Sequence, residues 1–238
     1  MKKLAIGAAA CTAIYSAYYA YSKMTAGSTI RKGVKYQSTR GGQTGVSFKN
    51  VVMGGLANDK GLFVPETIPE FTQDEIEAMR GMEFYEVAFT IMSKYIGEDD
   101  IPAADLKELL SRSYTNFRVK DVTPLVKIGE TNVLELFHGP TFAFKDVALQ
   151  TLGNLFEYFL KQDGGRLTIL GATSGDTGSA AIAGLSGKKN VNCFITFPEG
   201  RVSEIQERQM TTVTDENVHC ISIKGTFDDC QDIVKAAF

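Results

Sequence analysis

The sequence predicts an α/β fold in which an open parallel sheet, with helices on both faces, follows a small and mostly helical N-terminal domain. From residue 133 onward, short apolar runs alternate with longer segments of helical character. Strands that are apolar on both faces and separated by helices are typical of a parallel sheet that is covered on both sides. The 238 residues, 44% apolar and 22% charged, have the composition of a globular protein. The four runs predicted as strands are Val133–Phe137, Leu167–Leu170, Val191–Phe197 and Val218–Ile223.

A helix is predicted after each of these strands. The four predicted helices are Ala143–Leu160, Thr177–Leu185, Ser203–Thr212 and Phe227–Phe238. The last one has an apolar face that includes Ile233, and no capping residue follows it. Because an uncovered sheet edge has to be paired or shielded, we expect residues 121–238 to be the first part of a longer α/β domain.

Residues 36–120 are predicted to form the N-terminal domain. Thr72 and Glu75 have the spacing of a capping box, which predicts a helix start. Pro102 opens a second predicted helix, in which Leu106, Leu109 and Leu110 recur at helical spacing.

Residues 1–35 are predicted to be an extension outside the fold, because the run Leu4–Tyr21 has no charged residue and follows a basic start. Such a run is typical of a secretory signal or a membrane anchor. The absence of acidic residues through Asn58 is equally typical of a plastid or mitochondrial transit peptide. A third interpretation is an amphipathic extension without a targeting role in a cytoplasmic protein. The three interpretations stay open, and with them a membrane contact.

The charge distribution and the metal-ligand inventory exclude two classes of function. All 28 acidic side chains lie after residue 58, against 17 basic ones, and this acidic body argues against a nucleic-acid partner. Only two histidines are present and no CxxC pair occurs, so no metal site is predicted. Cys193 and Cys220 lie in apolar runs, and we expect buried, reduced thiols.

The first candidate functional segment is His138–Asp146, directly after a predicted strand. Ligands of open α/β sheets bind beyond the carboxyl ends of the strands, and this loop brings Lys145 to that edge. Phe142 and Phe144 beside it would partly desolvate the amine, which favours the neutral form that Schiff-base chemistry needs. A solvated lysine at a helix start is the alternative. Asp146 is expected to accept hydrogen bonds from backbone donors.

Two further segments follow predicted strands and open helices. Gly171–Ser179 contains three glycines, which allow close approach of a ligand, and a helix start that favours an anion. It matches neither GxGxxG nor a P-loop, and a tight turn required only for packing is the alternative. In Pro198–Gln206, Arg201 is either a contact for an anionic substrate or a surface cation.

Together these three segments resemble the threonine synthase family, pyridoxal-phosphate enzymes of the tryptophan synthase β-like fold (fold type II). The resemblance is strongest over Leu134–Asp146 and Gly171–Ser179. It extends over nearly everything after residue 35, and the other matching segments are Tyr36–Gly41, Gly61–Pro65, Gln206–Thr212 and Gly225–Phe238.

The resemblance implies a Schiff base between Lys145 and pyridoxal phosphate. It implies conversion of O-phospho-L-homoserine and water to L-threonine and phosphate. Asp176 would lie beside the cofactor, and Arg201 and the Thr226–Asp229 turn are candidates for the substrate phosphate. The residues implied to hold the substrate α-carboxylate are Ser174, Gly175, Asp176 and Thr177.

Family members continue beyond the length of this chain, and the glycine-rich loop for the cofactor phosphate lies in that later part. We therefore expect a fragment with weak cofactor retention and little turnover alone. The alternatives are a threonine-synthase-like phospho-lyase that releases 2-oxobutanoate and a truncated, non-catalytic paralogue that acts as an interaction module. Family members are monomers or dimers, so the resemblance leaves the oligomeric state open.

Overall fold

A computed structural model describes residues 31–237. The first part contains a two-stranded antiparallel sheet and four helices. The strands are β1 (Tyr36–Ser38) and β2 (Phe63–Pro65), and the helices are α1 (Phe48–Gly54), α2 (Gln73–Ala78), α3 (Phe84–Tyr95) and α4 (Ala103–Ser113). The predicted capping box is confirmed, because the Glu75 N–H donates to Thr72 Oγ1 at 3.2 Å and the Thr72 N–H to Glu75 Oε2 at 2.8 Å. The predicted helix after Pro102 is confirmed as α4, and its three leucines are buried.

Residues 31–35, which the sequence assigned to the extension, contact this first part. The Glu98 N–H donates to the Arg31 carbonyl at 2.7 Å, and the Val34 N–H to the Tyr95 carbonyl at 3.1 Å. The run Leu4–Tyr21 lies outside the described residues. Within residues 31–237, no helix combines the length and apolarity that crossing a bilayer requires.

The predicted first strand of the parallel sheet is wrong. Val133 and Leu134 belong to β4 (Thr131–Leu134), which pairs antiparallel with β3 (Leu125–Ile128) in a separate hairpin. Leu134 is 54% exposed. Its apolar run was typical of a buried strand, but apolarity alone does not say what covers a side chain, and antiparallel pairing across a short turn is available to any two adjacent runs.

The other three predicted strands are confirmed as one parallel sheet. Its order is β5 (Leu167–Ala172), β6 (Val191–Pro198) and β7 (Val218–Ile223), with β6 in the centre. Four helices alternate with these strands, and each lies within three residues of its predicted bounds: α5 (Asp146–Asp163), α6 (Asp176–Leu185), α7 (Glu204–Thr211) and α8 (Phe227–Ala237).

The two faces of the sheet are covered by different helices. Alternate residues of β6, including Cys193 and Ile195, pack against Phe156 of α5, Ile182 of α6 and Met210 of α7. On the opposite face, Cys230 of α8 is fully buried and contacts Thr196. Burial of Phe156, Ile182 and Met210 contributes roughly 1.5–3 kcal/mol for each side chain. This packing holds α5 and α6 in place against the sheet.

Helix α5 also joins the sheet to the first part of the chain. Its Leu155 and Phe159 lie in a second core with Leu106, Leu109 and Ile96 of the α3–α4 region. Because α5 packs into both cores, both hold α5 in place, and with it the start of the helix where the preceding segment ends.

Candidate functional site

The candidate site lies at the carboxyl end of β5, where α5 and α6 begin side by side. Lys145 is the N-cap of α5 and Asp176 is the first residue of α6. Lys145 Nζ lies 3.2 Å from Asp176 Oδ2, and the lysine side chain is 27% exposed. The ring of Phe144 covers one side of the amine, with Nζ 4.1 Å from its centroid. The structure thus brings together two of the residues named from the sequence, as an ion pair.

The spacing of this pair depends on a close contact between the two helices. Gly153 of α5 and Gly184 of α6 are both buried. Gly153 lies eight residues after Lys145, and Gly184 lies eight residues after Asp176. A Cβ on Gly153 would lie 1.9 Å from the Gly184 carbonyl oxygen. Only glycine therefore permits this helix separation.

The loop before Lys145 is held from the α5 side by Asp146. This carboxylate is fully buried, and its Oδ2 accepts from the Thr141 N–H at 2.9 Å while its Oδ1 accepts from Thr141 Oγ1 at 2.8 Å. The expectation that Asp146 serves backbone donors is confirmed. Gln209 of α7 adds a hydrogen bond from its Nε2 to the Thr141 carbonyl at 3.2 Å.

Arg118 holds the other side of the same loop, and sequence reasoning missed it. Its backbone N–H donates to the His138 carbonyl at 2.9 Å, and its guanidinium donates to the carbonyls of Gly139 and Pro140. Nothing in the local sequence around Arg118 distinguishes it from a surface cation, since its partners lie 20 to 22 residues further along the chain.

The loop between β5 and α6 exposes backbone donors. Buried Thr173 accepts at Oγ1 from the N–H groups of Gly175 at 3.0 Å and Gly178 at 2.9 Å. Gly175 has φ of 152°, a conformation that essentially only glycine adopts. The N–H groups of Ser174, Asp176 and Thr177 have no acceptor within residues 31–237. Such donors at a helix start can bind a carboxylate or phosphate.

Arg201 lies apart from this pair. It is exposed in the turn after β6, and within the described part of the chain no hydrogen bond or ion pair joins it to Lys145 or Asp176. Hydrogen bonds from the Thr226 N–H and hydroxyl hold the pKa of Asp229 below its ordinary value, and the charge of Arg201 adds to this effect. The structure therefore groups Arg201 with the Thr226–Asp229 turn.

The cysteines of the described residues are free thiols, and the predicted burial is confirmed for Cys193 but is only partial for Cys220. Cys193 and Cys230 are buried and Cys220 is partly buried. Burial raises the pKa of Cys193 to about 12 and that of the other two above their ordinary values. Thiols that stay protonated at neutral pH are poor nucleophiles, so they belong to the packing of the sheet.

The fold and the site define an α/β protein with a lysine, and with backbone N–H groups that have no acceptor within residues 31–237, at the carboxyl edge of a parallel sheet. Comparison with known proteins identifies the relatives of this arrangement. The family profile "Threonine synthase N terminus" matches residues 35–114. Threonine synthase of Schizosaccharomyces pombe is 59% identical over 214 residues, which cover 86% of this chain and 42% of that protein.

Solved structures agree with this result. Pyridoxal-phosphate-bound threonine synthase from Brucella melitensis has a TM-score of 0.82 at 49% identity, over 87% of this chain and 44% of that one. Threonine synthase from yeast has a TM-score of 0.81 at 53% identity, over 87% of this chain and 43% of that one. The chain is a homologue of threonine synthase and corresponds to its N-terminal part. It spans less than half the length of these relatives.

Proposed function

We propose that this chain supplies the lysine-bearing part of a pyridoxal-phosphate-dependent threonine synthase of fold type II. Its reaction would convert O-phospho-L-homoserine and water to L-threonine and phosphate, a lyase reaction of threonine biosynthesis. The observation that carries the proposal is the placement of Lys145 Nζ 3.2 Å from Asp176, beside a loop in which three N–H groups have no acceptor among the described residues. A homologue with 59% identity bears the name of this enzyme.

The residues present fit pyridoxal phosphate. Lys145 would hold the cofactor covalently through Nζ, and Asp176 would lie beside it. Pyridoxal phosphate supplies an electron sink for carbanions when it is bound. The Lys145 amine is paired with Asp176 in this structure, and it would have to be neutral and free of that partner to hold the cofactor.

Lys145 would then move protons at the substrate. Its Nζ lies at the end of a flexible stem, with the Phe144 ring covering one side of it. An amine at this place would take a proton from one substrate carbon and deliver it to the next.

The loop at the start of α6 would bind the substrate carboxylate. The N–H groups of Ser174, Asp176 and Thr177 have no acceptor within residues 31–237. Gly175 has no Cβ and so leaves room for the Gln206 side chain, whose Oε1 would lie 2.4 Å from such an atom. The helix start adds a favourable field for an anion. Arg201 and the Thr226–Asp229 turn would serve the substrate phosphate from the neighbouring loops.

The division of the chain belongs to the same proposal. Residues 36–120 would be the N-terminal domain and residues 121–238 the first part of the cofactor-binding domain. Residues 1–35 would carry any targeting signal.

Borohydride trapping tests the proposal in the full-length gene product. With pyridoxal phosphate present, we expect peptide mapping to find the pyridoxyl group on Lys145, and not on Lys161 at the other end of α5. Lys145→Ala should lose the label, whereas Lys161→Ala should keep it. A label elsewhere, or none, would refute the proposal.

Product analysis with O-phospho-L-homoserine then separates the alternatives. Threonine supports the synthase, 2-oxobutanoate supports a phospho-lyase, and binding without turnover supports a non-catalytic paralogue.

A further inference from the structure

We propose that Arg118 is a positioning residue for Lys145, because it anchors the far side of the loop that carries the lysine. This inference rests on the proposed function of Lys145. The loop in question is the Lys145 loop, residues 138–144, which connects the β3–β4 hairpin region to α5.

The contacts of Arg118 are directed at one stretch of this loop. Its backbone N–H donates to the His138 carbonyl at 2.9 Å. Its guanidinium donates to the Gly139 carbonyl through one nitrogen and to the Pro140 carbonyl, at 3.4 Å, through another. Three consecutive carbonyls are therefore bonded to one residue.

The same guanidinium also covers the ring of Phe142, with its central carbon 3.9 Å from the ring centroid. Phe142 is the strained residue of the loop, since its φ of 65° is unfavourable for a side chain of this size. The ring is 56% exposed, so the apolar core does not hold it. The cation–π contact favours the ring position that accompanies this backbone conformation.

The loop is thus held from two opposite sides. Asp146, within α5, bonds the N–H and hydroxyl of Thr141, while Arg118 bonds the carbonyls that precede Thr141 and the ring that follows it. Lys145 is three residues beyond Phe142. Without Arg118, the strained turn would relax and the amine would lose its fixed place beside Asp176.

The side chain at position 118 has to bond two carbonyls and contact the Phe142 ring at once, which an arginine can do and a lysine cannot. The planar guanidinium can donate to two neighbouring carbonyls and stack on a ring at the same time, whereas an ammonium is a compact charge without a fork. A change to lysine keeps the charge and removes this geometry, and a change to methionine removes both.

Competitive amine labelling with acetic anhydride, followed by mass spectrometry of the full-length gene product, measures the effect without cofactor. Lys161 is the exposed reference and Lys188, one-fifth exposed and bonded to Asn154, reports general unfolding. In Arg118→Met we expect Lys145 labelling to rise several-fold relative to Lys161, because the amine leaves the ion pair, while Lys188 labelling stays constant. Arg118→Lys should behave in the same way. Arg80→Met is the control, since Arg80 is an exposed arginine paired with Glu77 on α2.

A second readout is the fraction of Lys145 trapped with pyridoxal phosphate, which we expect to fall about tenfold in both Arg118 variants and to stay unchanged in Arg80→Met. The inference is overturned if Arg118→Met leaves the labelling and the trapping of Lys145 unchanged, or if Lys188 labelling rises in parallel with Lys145 labelling. It is also overturned if Arg118→Lys retains the parent's labelling and trapping in full. If the parent protein traps no cofactor at Lys145 but Arg118→Met alters its labelling, the proposed function fails and the positioning role of Arg118 stands.

Discussion

The glycine contact between α5 and α6 gives the most direct test of how the fold sets the site. Gly153→Ala would place a Cβ 1.9 Å from the Gly184 carbonyl oxygen, whereas Cβ contacts in proteins essentially never fall below 3.0 Å. The oxygen belongs to helical backbone and has no rotamer to change. The two helices would therefore have to separate locally by about 1.1 Å.

Two opposing effects determine the stability of this variant. An alanine in a helix interior is favoured over glycine by roughly 0.5–1 kcal/mol. Overpacking of a close-packed contact costs about 1–3 kcal/mol, and more when backbone has to move. We expect the clash to exceed the propensity gain, so the free energy of unfolding should fall by about 1–2 kcal/mol. The ion pair of Lys145 and Asp176 should open as the helix starts move apart.

Urea denaturation measures the change in free energy, and labelling of Lys145 by acetic anhydride measures the opening of the pair. Gly54→Ala is the matched control, because Gly54 is also helical but, within residues 31–237, no atom outside its own stretch of helix lies within 4 Å of the position that its new methyl group would take. This control should be as stable as the parent or slightly more stable. The reasoning is refuted if Gly153→Ala is as stable as Gly54→Ala and labels Lys145 to the same extent.

Two further predictions concern the Gly175 loop and the pH dependence of stability. Gly175→Ala should lower the free energy of unfolding by about 1–3 kcal/mol in urea denaturation, because φ of 152° is strained for any residue with a Cβ. The added Gln206→Ala change removes the side chain nearest to the new methyl group, and full recovery in the double variant would show that backbone strain is not the cause. For pH, the Ser38 hydroxyl at 2.6 Å and the Gly61 N–H hold the pKa of Asp59 below its ordinary value. This carboxylate therefore stabilises the fold above its unfolded pKa of about 4, and the contribution is lost as pH falls through the lower, folded value. Ser38→Ala should raise the pKa of Asp59 in an NMR titration and destabilise the protein more at pH 7 than below both pKa values, where only the hydrogen bond from the Arg40 N–H to the Ser38 hydroxyl is lost; an unchanged Asp59 titration would contradict this.

The elements of the sheet region were largely predictable because their signals are local. The apolar runs of β5, β6 and β7 and the helices after them lie close to the predicted bounds. The start of α5 was predicted three residues too early, because the N–H groups of Asp146 and Val147 donate to the carbonyls three residues earlier, in a turn that precedes the α-helix. The run Val133–Phe137 was misassigned because pairing partner and burial are tertiary properties that apolarity does not encode.

The residues of the candidate site were likewise predictable only in part. Lys145 and the Gly171–Ser179 loop could be named from residue types and from their positions after apolar runs. Arg118 could not, because its partners are carbonyl groups, which every residue carries and which no sequence pattern distinguishes. Gln209 was missed for the same reason.

By itself, the sequence determined which residues carry reactive groups and which segments become strands and helices, because side-chain chemistry and hydrophobic periodicity are properties of neighbours along the chain. Only the tertiary structure decided that an amine and a carboxylate 31 residues apart meet at 3.2 Å, and that Arg118 holds the loop that precedes the amine. Such distances follow from how closely two helices pack on a shared sheet, and that depends on contacts between residues that are remote in sequence.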